Sequence, residues 1–157
     1  MKNKYKIFSV VIAALILTLF VPPVQAKRAK YLFKVASLAP DGSVWAKRFR
    51  DFTKEVEEKS NGEIGFKSYA GGVMGDDRAM YRKMRVGQLN GGGFTMTGIG
   101  EIVQDFRVLG TPFMFNSYDE VDRVKEKLLS RFEKEFDKKA LVLLAISEVG
   151  FIYTMTT

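Results

Sequence analysis

Hydrophobic and polar positions change period several times along this chain, and each change predicts an element. Tyr31 to Ser37, YLFKVAS, is dense in aromatic and aliphatic residues and predicts a strand. Pro40-Asp41-Gly42-Ser43 predicts a turn and a helix start. Trp45, Phe49, Phe52 and Val56 then recur at helical spacing, so an amphipathic helix should cover a sheet with that stripe, Trp45 lying in the core. On that reading, Phe49→Ala should cost about 3–5 kcal/mol. Asn61-Gly62 stops the helix, and Glu63 to Tyr69 alternates as a second strand.

The stretch Met74 to Thr97 organises the rest. Gly75, Asp76 and Asp77 open it, and either carboxylate can cap a helix by accepting the free N–H groups of its first turn. Met80 and Met84 share a face of that helix. Gly87 offers its stop, with Lys83 and Arg85 in the last turn where cations suit the helix dipole. Gly91-Gly92-Gly93 permits close approach to the backbone, and Phe94, Thr95 and Thr97 add an aromatic face and two hydroxyls. A strand near 90–96 is expected, its end forming a ligand floor.

Ile99, Ile102, Val103 and Phe106 suggest a short helix, and Val108 to Phe115 an apolar strand or loop broken by Pro112. Ser117 with Glu120 reads as a capping box before Val121, Val124, Leu128, Phe132 and Phe136 at helical spacing. Ala140 to Ile146, ALVLLAI, has the length and content of a buried strand, and Phe151 to Met155 is another strand candidate. Alternating strands and helices imply an α/β fold, a mostly parallel sheet with helices on both faces. Strands near 31–37, 63–69, 90–96 and 140–147 should share that sheet.

Composition narrows the chemistry. The 157 residues contain no Cys and no His, which excludes a thiol nucleophile, an imidazole base and Cys or His metal ligation. No catalytic residue, metal or cofactor is expected. Asp76 and Asp77 are adjacent, so their side chains diverge on a helix and make no carboxylate dyad. The formal charge is 25 − 18 = +7. Basic residues are interleaved with acids in 47–63 and 122–139, with no aromatic-basic array of the kind that reads nucleic acid.

Residues 1–26 have the parts of a secretory signal. Lys2, Lys4 and Lys6 precede an apolar run from Ile7 to Val21, and Pro22 to Ala26 places Val24 and Ala26 at the −3 and −1 positions. The run is shorter than the ~20 residues that span a bilayer, so cleavage after Ala26 is expected rather than anchoring. It would remove three lysines, leaving 22 − 18 = +4 in a periplasmic chain with no membrane anchor.

Four blocks carry a family resemblance: SLAPDGSVWAK (37–47), FTKEVEEKSNGEI (52–64), GDDRAMYRKMRVGQLNG (75–91) and RVLGTPFMFNSYDEVD (107–122). In this order they resemble the DctP family, the substrate-binding subunits of tripartite ATP-independent periplasmic (TRAP) transporters. The resemblance implies a periplasmic binding protein-like fold and a first domain, 27–147, of a two-domain receptor, with 148–157 crossing toward a second domain. It implies an extracytoplasmic solute-binding protein that captures a small carboxylate and delivers it to TRAP membrane permease subunits. It implies that Ser37, Asp77, Phe94, Thr95, Thr97 and Gly98 line one wall of the ligand cleft. The family's substrate-clamping arginine would lie beyond residue 157, so the 157-residue chain should bind ligand weakly alone.

Some positions depart from the family pattern. Ile152 stands where some members carry an arginine, Ala70 replaces a common proline, and the triple glycine softens a more apolar strand. The rival reading, a small exported α/β enzyme such as a hydrolase, finds no G-x-S-x-G elbow and no phosphate loop.

Overall fold

The computed structural model describes residues 29–150; the secretory signal, the strand candidate at 151–155 and Ile152 lie outside them. Three parallel strands form the sheet: β1 (Tyr31–Ser37), β2 (Ile64–Tyr69) and β3 (Gly91–Gly93), in the order β2-β1-β3. Tyr31 pairs with Ile64 and Ala36 with Tyr69 on one side of β1, and Ser37 with Gly93 on the other. Helix α1 (Val44–Lys59) joins β1 to β2, and α2 (Asp77–Arg85) joins β2 to β3. Because the first crossover moves outward from β1 and the second moves back past it, crossovers of one hand place α1 and α2 on opposite faces.

The contacts agree. On one face Phe66 stacks on Phe33 at 5.7 Å and meets Phe49 and Phe52 of α1 at 6.2 and 5.9 Å. On the other, Ala36, Met80 of α2 and Leu89 form a buried cluster with Tyr69, Met74 and Met84 against it.

The expectation that Trp45 lies in the core is corrected. Trp45 is 40% exposed and Phe52 47%, and no residue of α1 is buried. Helical spacing selects a stripe but not the width of what it covers, and β2 is the last described strand on this side. Phe49 is half-buried, edge-on to Phe66 and tilted against Phe52. Phe49→Ala should therefore cost about 1–2 kcal/mol in denaturant unfolding, less than a buried ring would. A loss above about 3 kcal/mol would contradict this packing.

Beyond β3 come α3 (Met96–Ile102), a 3-10 helix (Gln104–Gly110) and α4 (Tyr118–Asp137). The region 108–115, read as strand or loop, is thus the end of the 3-10 helix and a turn. The Ser117 hydroxyl accepts from Glu120 N–H at 3.3 Å, and the Glu120 carboxylate accepts from Asn116 N–H at 2.8 Å, one residue before the position a capping box uses. Ile99, Val103 and Phe106 pack with Phe132 and Phe136 of α4 in a second buried cluster.

Two strand assignments are also corrected. The third strand ends at Gly93, because Thr95 leaves the sheet to begin α3. Residues 140–147 pair with no described strand. Ala140 adopts a left-handed φ of 55°, and Leu141 N–H donates back to the Phe136 carbonyl at 3.0 Å, closing the end of α4. Leu141, Leu143 and Ile146 then satisfy their apolar character against the helical cluster, while Val142 and Leu144 face outward.

Candidate functional site

β1 lies between neighbours reached by crossovers running in opposite directions. Its carboxyl end, at Ser37, is therefore the switch point at which open α/β sheets form a crevice. Ser37 sits there beside Gly93, where an added Cβ would come within 3.2 Å of the Ser37 Cβ. The Ser37 carbonyl accepts from Gly72 N–H at 3.0 Å, folding the turn after β2 over the same edge.

The two acids of the GDDR block divide their work. Asp76 is the N-cap of α2, accepting from Ala79 N–H at 2.8 Å. That frees Asp77 to point across to the end of β3. Its carboxylate accepts from the Thr95 hydroxyl at 2.6 Å and from Thr95 N–H at 3.1 Å. The Thr95 hydroxyl in turn caps α3 by accepting from Gly98 N–H at 3.0 Å. Gly98 is buried, and a Cβ there would fall inside the Asp77 carboxyl group. Asp77, Thr95 and Gly98 therefore form one clasp that fixes the start of α3 against the start of α2.

The structure brings Ser37 and this clasp to the same edge of the sheet. Phe94 is half-buried and packs against both hydrophobic clusters, with its ring over Gly92, so packing accounts for most of it. Thr97 is exposed on the first turn of α3 and its hydroxyl makes no bond among the described residues.

Sequence reasoning missed the neighbouring ion pair. Arg78 donates from Nε and Nη2 to the two carboxylate oxygens of Glu101 at 2.5 and 2.7 Å, a fork-to-fork pair linking α2 to α3. That bond, helped by the charges of Arg78 and Arg107 and opposed by desolvation, holds the Glu101 carboxyl below the usual glutamate range. The Arg78 guanidinium is shifted upward for the same reason. Because the folded-state value is depressed, the pair contributes fully above the ordinary glutamate pKa of about 4.3 and is lost as pH falls through the lower, folded value. A carboxyl carbon titration should place the Glu101 midpoint below that of an ordinary glutamate; a midpoint at or above it would mean the pair is not made.

Behind this pair runs an open groove of about 570 Å³ between Arg78, Tyr81 and Arg82 of α2 and Glu101 and Ile102 of α3. No group of side chains among the described residues could hold a metal ion. No described helix is long and apolar enough to cross a membrane.

Comparison with known proteins bears on this arrangement. The family model for bacterial extracellular solute-binding proteins, family 7 (DctP), matches residues 35–157. A solute-binding protein of Chromohalobacter salexigens is 34% identical over 100 residues, covering 63% of this chain and 30% of that protein. A TRAP periplasmic solute-binding protein from C. salexigens, solved with bound D-glucuronate, superposes with a TM-score of 0.66 at 31% identity, covering 72% of this chain and 38% of its own. Another from Pseudomonas putida F1, also with D-glucuronate, gives 0.59 at 26% identity, covering 69% and 35%. The chain thus spans about a third of the length of these relatives.

Proposed function

Because the chain belongs to the bacterial extracellular solute-binding protein family 7, the DctP family, we propose that it serves solute capture for a TRAP transporter, taking a small organic acid and passing it to the membrane permease. The family is one of solute-binding proteins rather than enzymes, and the same reading carries no catalytic activity. Residues 1–26 act as a cleaved secretory signal that directs the chain to the periplasm without a membrane anchor. Residues 27–147 form a domain supplying one wall of the crevice, and 148–157 lead toward a second.

The observation that carries this reading is the clasp of Asp77, Thr95 and Gly98 at the switch point beside Ser37. Its chemistry limits what it can receive. The Asp77 carboxylate is an acceptor only, so it repels a ligand carboxylate but takes hydroxyl donors on its remaining lone pairs. Thr97 and Ser37 add hydroxyls that either donate or accept. Such a wall suits the hydroxyl-bearing end of a sugar acid, with the carboxylate turned away from Asp77. D-glucuronate, bound in the two relatives, is a ligand of that class. Calorimetric titration should show D-glucuronate binding more tightly than succinate, an acid that offers Asp77 no hydroxyl. Equal binding of the two, or no binding of D-glucuronate, would refute this reading of the wall.

A further inference from the structure

We propose that the groove between α2 and α3 is a second anion site, for a small carboxylate or phosphate, distinct from the crevice and touching it only at Gly98. The charge balance is the first observation. Arg78, Arg82, Arg107 and Lys139 line the groove against a single acid, Glu101. Glu101 is neutralised by both prongs of Arg78, so the balance left over is cationic.

The second observation is which donors remain. Arg107 gives only its Nε to the Gly100 carbonyl, at 2.8 Å, which orients the guanidinium while leaving its terminal N–H groups unbonded among the described residues. The Arg82 guanidinium and the Lys139 ammonium have no carboxylate partner among the described residues, although Lys125, Arg131 and Lys138 each have one. Arg82, Arg107 and Lys139 thus line one groove with no carboxylate hydrogen-bonded to any of them among the described residues.

The third observation is that the groove is braced. The Arg78–Glu101 pair ties α2 to α3, and Arg85 of α2 reaches the Lys139 carbonyl at 3.4 Å, joining the far end of α2 to the segment after α4. An anion entering would be met by a planar fork at Arg82 and a second at Arg107, with Lys139 as a point charge and the Tyr81 ring at the wall. The groove is open, so the contacts stay hydrated and binding should weaken as salt screens them.

The test is a nitrogen-15 NMR titration of the purified protein with inorganic phosphate and with citrate, each against sodium chloride at matched ionic strength. Saturable shifts are expected at Tyr81, Arg82, Arg107 and Lys139, with apparent affinity in the millimolar range, about that of a few hydrated charge contacts. The double variant Arg82→Gln, Lys139→Gln should lose about tenfold in affinity, with circular dichroism unchanged. Shifts spread evenly over all basic residues, an unchanged affinity in the double variant, or identical effects of chloride would each overturn the proposal. Citrate shifts confined to Ser37, Thr95 and Gly98 would overturn it while leaving the crevice reading intact. Shifts confined to the groove would support it even if the crevice reading failed.

Discussion

Phe132→Ala is expected to lower the unfolding free energy by about 3–5 kcal/mol, the largest stability loss at any single side chain described above. Phe132 is 1% exposed, and its ring lies 4.8 Å from Phe106, which in turn meets Phe136 at 5.9 Å. These rings join α4 to the 3-10 helix and α3, so truncation opens a cavity where three elements meet. For a domain whose total stability is about 5–15 kcal/mol, such a loss shifts the unfolding midpoint visibly. Chemical denaturation measures it directly. A loss below about 1 kcal/mol would mean that α4 does not pack on this cluster.

Gly98→Ala should have the second large effect, and it joins stability to function. In a helix, alanine is favoured over glycine by about 1 kcal/mol. Here that gain is opposed by a methyl group placed inside the Asp77 carboxyl, which short, half-buried Asp77 cannot vacate without releasing Thr95. Overpacking of this kind costs about 1–3 kcal/mol, so the net stability change is modest. The clasp, by contrast, should break. The Thr95 amide resonance should move, and binding of D-glucuronate should fall at least about tenfold, a change of 1.4 kcal/mol. Gly91→Ala provides a control, since its Cβ would make only an ordinary contact with Val35, at 3.6 Å, and leave the clasp alone. Equal binding in wild type and Gly98→Ala would mean that the Asp77–Thr95 bonds do not shape the crevice.

The parts of this fold that local chemistry decides were readable from the chain. Caps are partly such a case: Ser117 satisfies the N–H three residues away that sequence spacing points to, while spacing left Asp76 and Asp77 as equal candidates and the structure puts Asp76 at the cap. The parallel order could be expected because strands separated by helices cannot form hairpins. The family resemblance pointed to Ser37, Asp77, Phe94, Thr95, Thr97 and Gly98; of these the structure joins Asp77, Thr95 and Gly98 by contacts near the end of β1 at Ser37, while packing accounts for most of Phe94 and the Thr97 hydroxyl makes no bond among the described residues.

What was not readable depends on distant partners. Periodicity marks Trp45 and Phe52 as a stripe, but their exposure is set by a sheet whose last described strand on that side is β2. The run at 140–147 signals burial, and burial on the helical cluster satisfies it without strand pairing. Thr95 looks like a strand residue until Asp77, 18 positions earlier, is placed against it. Arg78 and Glu101 are 23 positions apart and belong to different elements, so no spacing rule couples them.

The central claim is that the edge built by Ser37, Asp77, Thr95 and Gly98 receives an organic acid. Amide NMR of the purified protein, titrated with D-glucuronate and with succinate, tests it most directly. The account predicts saturable shifts centred on residues 37, 77, 95 and 98 for D-glucuronate, and weaker binding of succinate, which offers Asp77 no hydroxyl. Unmoved amides at these four positions through saturating glucuronate, or equal binding of succinate, would contradict it.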